Sequence, residues 1–171
     1  AWGEAAVIGA MLANCIRSWA NSGCAYRIYV GCYPNDPHTS AAVIRAAKRN
    51  PVIRLVLVDH IGPTTKADCL NRLWQALRAD EVAGGYTAKA IVLHDAEDAV
   101  HADELRVFDR LIAIGGAVQL PVIPVRTKGS RWISGHFATN LPKPMARIWS
   151  CARRLARRCR SLASPARLNA I

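Results

Sequence analysis

The run Ala90-Ile91-Val92-Leu93-His94-Asp95-Ala96-Glu97-Asp98 decides how this chain is read. Its four leading apolar residues have the composition of a buried strand, and the acids that follow stand where such a strand would surface at the edge of a sheet. Asp95 and Glu97 are separated by one residue. On a chain leaving a strand, two carboxylates so spaced can face one hard divalent cation, whose other ligands are substrate phosphates and water. Acids in this place also serve as helix caps and first-turn charges, so the neighbouring elements must decide between the two uses. His94 and His101 flank the stretch without cysteine or histidine partners at ligand spacing, and they read as structural.

Working outward, apolar positions at helical spacing (Val7, Ile8, Met11, Leu12, Cys15, Ile16, Trp19) predict a helix over 4–19. A β-branched and aromatic strand over 26–32 ends in the turn-rich Tyr33-Pro34-Asn35-Asp36-Pro37, after which Thr39 or Ser40 is placed to cap a helix to 49. A strand over 53–58 leads through a loop over 59–65, containing Gly62-Pro63, to a helix over 66–77. A strand over 90–93, a helix over 101–114 and a strand over 117–125 complete an alternating order. Such alternation predicts an α/β fold of three αβα layers around a mostly parallel nucleotide-binding sheet, with ligands at the carboxyl ends of the strands. Three loops converge there, carrying Asp36, then Asp59 to Lys66, then Asp95 to Asp98.

The chain has 171 residues, 51% of them hydrophobic, enough for one domain with a real core. Its net charge of +11 is unevenly spread: residues 141–171 hold eight basic residues and no acid, and the remainder holds 15 basic and 12 acidic residues. The body is therefore close to neutral, which argues against nucleic acid as its partner. Six cysteines without a C-x-x-C pair read as reduced, cytosolic thiols. No run approaches the roughly 18 to 20 apolar residues that span a bilayer, and Ala1 in place of methionine reads as a fragment or a processed end.

Four stretches together resemble bacterial family 2 glycosyltransferases of the GT-A, Rossmann-like fold, particularly the membrane-associated polysaccharide type. They are Ala1-Trp2-Gly3-Glu4, Tyr33-Pro34-Asn35-Asp36-Pro37, Gly62-Pro63-Thr64-Thr65-Lys66-Ala67-Asp68-Cys69-Leu70-Asn71 and Leu93-His94-Asp95-Ala96-Glu97-Asp98. The likeness covers roughly residues 1–140, a GT-A domain incomplete at both ends. It implies Asp95 and Glu97 at the family's Asp-x-Asp positions, binding Mg2+ or Mn2+ that bridges the diphosphate of a UDP-linked sugar, with glutamate a departure in the second place. It implies Lys66 near the phosphates and Asp36 and Asp59 near the base or ribose. The reaction implied is an inverting transfer of the sugar to a glycan acceptor, at the cytoplasmic face of the inner membrane for the intact family. Gly3 stands where the family has asparagine. The family's general base is an acid in a later motif, followed by Gln-x-x-Arg-Trp; neither stands after Asn140, and Arg131-Trp132 lies too early. The fragment is therefore expected to be soluble and inactive by itself.

Residues 141–171 abandon the periodic pattern for a mixture of Arg, Ala, Ser, Pro and Leu. That composition is typical of GC-rich DNA read out of frame, and it also suits a basic surface helix with Trp149, Leu155 and Leu162 on one face. Two other readings compete. One is a basic-tailed module for anionic lipid or nucleic acid; the other is a haloacid-dehalogenase-like phosphotransferase, which also sets Asp-x-Asp after a strand but differs at Glu97 and lacks the expected threonine.

Overall fold

The computed structural model describes residues 1–121. The greater part of the strand expected over 117–125, Arg131-Trp132 and the basic tail lie outside the described residues. Residues 1–105 form one compact unit, and residues from 106 onward belong to a second.

In the first unit the order is α1 (Ile8–Trp19), β1 (Ile28–Cys32), α2 (Pro37–Arg49), β2 (Ile53–Leu57) and α3 (Lys66–Gly84). β1 and β2 pair in parallel, in a register that runs from Ile28 opposite Ile53 to Cys32 opposite Leu57. Side chains alternate across a strand, and here the alternation sorts the layers. Val30 and Cys32 pack with Ile8 and Leu12 of α1, Ala42 and Val43 of α2, and Ile53. On the opposite face Gly31 lies against Cys69 and Leu73 of α3, so close that a Cβ at this position would overlap the Cys69 thiol. The Tyr29 hydroxyl, also on that face, donates to Asp80 of α3 at 2.8 Å. Helices thus cover both faces of a parallel sheet, the α/β architecture expected of the alternating sequence.

Several boundaries differ from the sequence expectation. The first helix begins at Ile8 rather than residue 4, because residues 5–7 form a turn whose amides at Val7 and Ile8 are satisfied by the Glu4 carbonyl. α2 is capped by Asp36, not Thr39 or Ser40: the Asp36 carboxylate accepts from the Thr39 amide at 3.2 Å, and Pro37 fills the first helical position. The buried Thr39 hydroxyl is engaged elsewhere, accepting from the Glu4 amide at 3.0 Å. α3 runs seven residues past Leu77 to Gly84, where Gly85 adopts the left-handed conformation that ends it.

The strand expected over 90–93 does not form. Ile91 and Leu93 are 55% and 62% exposed, and the sheet among the described residues has two strands. The composition suits a strand, but a strand exists through its ladder of backbone hydrogen bonds, and no described neighbour supplies one here. Residues 117–121 are likewise not in a strand. α4 (Glu104–Gly115) starts at the end of the first unit and runs into the second, where Val107 is buried. No described helix is long and apolar enough to cross a membrane.

Candidate functional site

Beyond the carboxyl end of β1, the Asn35 side chain clasps the backbone of the loop that follows β2. Its amide donates to the Gly62 carbonyl at 2.7 Å and its carbonyl accepts from the Gly62 amide at 3.0 Å. Glycine is required at residue 62, since a Cβ there would collide with the Tyr33 ring. Tyr33 itself takes Trp2 edge-on at 5.7 Å and reaches the Thr64 hydroxyl at 2.8 Å. The Thr64 hydroxyl donates a hydrogen bond to the Asp68 carboxylate at 2.7 Å, and the other end of this chain is His60, with Nε2 at 2.8 Å from Asp68 and Nδ1 at 2.8 Å from Asp59. Arg72 completes the set by pairing with Asp59. The Thr64 hydroxyl, followed by His60, holds the Asp68 carboxyl below its usual range. Thr65 caps α3 through the Asp68 amide, so Lys66 is presented as the first residue of the helix.

From there the Lys66 ammonium donates to Asp95 Oδ1 at 2.7 Å. Both side chains are open to solvent, 69% and 63% exposed. The hydrogen bond to Asp95 and that residue's charge raise the Lys66 pKa above the ordinary lysine value, with Asp98 adding to the effect. The acidic turn is held from beneath. Asp98 accepts from the Asp95 amide at 2.9 Å and faces His94 Nδ1 at 3.5 Å, while His94 Nε2 faces Glu104 at 3.5 Å. The largely buried His94 ring also lies against Trp19 of α1, and the Val100 amide donates to Asn14 of the same helix at 2.8 Å.

Of the residues singled out from the sequence, the structure joins Lys66 to Asp95. Asp36 has both carboxylate oxygens engaged, one capping α2 and one accepting from the Gly3 amide at 2.7 Å. The Thr39 contact lowers its pKa, and the Gly3 contact assists. Asp59 is bound to His60 and Arg72. Glu97 stands exposed on the turn after Asp95. Asn35, His60, Asp68, Arg72 and His94 were not among the candidates, because each acts through a contact distant in sequence or set by a loop. Only the turn-rich run around Asn35 and the acid-flanked place of His94 mark any of them.

No group of three or more His, Cys, Asp or Glu side chains among the described residues is arranged to hold a metal alone. A Mg2+ or Mn2+ ion shared with a diphosphate needs only one or two protein carboxylates, and the exposed oxygens of Asp95 and Glu97 have the hard-donor chemistry for that share.

Parallel strands between helix layers, with clasped loops beyond the strand ends, make this an α/β domain. Residues 1–162 match the profile described as Glycosyltransferase like family 2, and the chain belongs to that family, which implies the GT-A, Rossmann-like class. It is 38% identical over 136 residues to Bacteriophage adsorption protein B of Escherichia coli strain K12, and equally to Bacteriophage N4 adsorption protein B of Escherichia coli O157:H7. The matched region is 78% of this chain and 18% of each of those proteins, so the chain spans about a fifth of their length. No solved structure matches it.

Proposed function

We propose that this domain binds the UDP-linked sugar donor of a metal-dependent, inverting glycosyl transfer to a glycan acceptor. The Lys66–Asp95 contact carries the reading, because it puts a phosphate-seeking ammonium and a metal-seeking carboxylate at one exposed position beyond the sheet. Asp95 and Glu97 would hold Mg2+ or Mn2+, which supplies positive charge to the leaving diphosphate. Lys66 adds a second positive charge to the same oxygens. The Asn35–Gly62 clasp and the Tyr33–Thr64–Asp68–His60 chain keep the loop before Lys66 in one conformation, so that little ordering remains for the donor to impose. Asp36 and Asp59 border these loops and are proposed to lie beside the base or ribose, Asp36 with both oxygens already committed to α2 and Gly3, and Asp59 held by His60 and Arg72.

In the transfer an acceptor hydroxyl attacks the anomeric carbon, the bond to the diphosphate oxygen breaks with inversion, and the hydroxyl proton passes to a base that residues 1–121 are not proposed to contain. Residues 1–121 are therefore proposed to bind the donor, with the base supplied from outside them. The relatives are named for bacteriophage adsorption, a cell-surface event, and a surface glycan is the product class we propose. Calorimetric titration of the 171-residue chain with UDP tests the reading: binding is expected with Mn2+ present, and at least about tenfold weaker without Mn2+ or in Asp95→Asn. UDP affinity indifferent to both changes would remove the proposal.

A further inference from the structure

We propose that Lys66 is a two-position cation, holding the Asp95 carboxylate when no metal is bound and moving to the donor diphosphate when metal takes its place. This rests on the donor-site reading above and adds to it a coupling between metal and nucleotide. Lys66 Nζ lies 2.7 Å from Asp95 Oδ1, so an ion drawing on that oxygen competes with the ammonium for it. The displacement is small: an exposed lysine–carboxylate pair contributes little, and the flexible four-carbon stem lets the head swing while the backbone stays fixed. The backbone is fixed, since Thr65 caps α3 just before Lys66 and the preceding loop is clasped by Asn35. Asp98 on the same turn also acts on the ammonium, so without the donor Lys66 is a nearby positive charge that offsets Asp95 and Asp98.

Two cations competing for one carboxylate, with one of them also able to bind the diphosphate, give opposite signs for the two ligands. In the Lys66→Met variant, affinity for Mn2+ alone, read from the loss of the free-ion paramagnetic resonance signal, is expected to rise about two- to fivefold at low ionic strength. The gain shrinks toward unity near 1 M salt, where charges are screened. The same variant is expected to bind UDP in the presence of Mn2+ at least about fivefold more weakly, and Lys66→Arg to stay close to the parent in both measurements. Mn2+ affinity that is unchanged or lower in Lys66→Met overturns the inference while leaving the donor site intact. A parent chain whose Mn2+ binding is unaffected by Asp95→Asn overturns the donor site itself, and the inference with it.

Discussion

Asp36 shows how one carboxylate is claimed by the fold. The run Tyr33 to Pro37 was legible as a turn ahead of a helix, but the choice of cap was not, because the Thr39 hydroxyl is taken by the Glu4 amide, a contact 35 residues away. Asp36→Ala removes the cap of α2 and the tie to Gly3 together, and a stability loss of about 1 to 2 kcal/mol is expected by thermal or urea melting. Asp36→Asn should recover most of it. Glu104 behaves in the opposite sense. Burial raises its carboxyl above the usual 4.5, with the nearby His94 opposing. A folded-state pKa above the unfolded one means that the folded chain holds this proton longer, so the stabilising contribution is complete below about pH 4.5 and fades as pH rises through the folded value. Glu104→Gln should therefore flatten the decline in melting temperature as pH rises above about 4.5. An unchanged slope would show that Glu104 ionises freely in the folded chain.

At the scale of elements, helical periodicity, strand composition and turn signals together located the helices α1 to α3 and both strands of the first unit. What periodicity could not supply was partnership. Residues 90–93 are as apolar as a central strand, yet they remain outside the sheet because a ladder needs a second chain segment. Gly31 is the converse case, a residue without a side chain whose importance lies in what approaches it. Gly31→Ala should cost about 1 to 3 kcal/mol by forcing Cys69 of α3 off β1. Pairing it with Cys69→Ala should restore part of the loss, and simple additivity in the double variant would place the strain elsewhere.

For the whole molecule, family membership was legible because four short stretches occur in order, each tied to a loop or to a helix start of an alternating fold. The convergence of loops was legible: Lys66 and Asp95, carried on loops expected to meet at one edge, lie in contact 29 residues apart in sequence. The support beneath them was legible only in outline: His94 read as structural, but the contacts that His94, Asp68 and Asn35 make are set by loops and not by any periodic pattern. The central claim is that the exposed Lys66–Asp95 edge receives the diphosphate of an activated sugar together with its metal. It is tested most directly by a crystal structure of the chain grown with UDP and Mn2+. The expected result is an anomalous manganese peak within coordinating distance of an Asp95 carboxylate oxygen and of the diphosphate, with Lys66 turned onto a phosphate oxygen. Manganese and nucleotide found away from this edge, with the Lys66–Asp95 pair still closed, would contradict it.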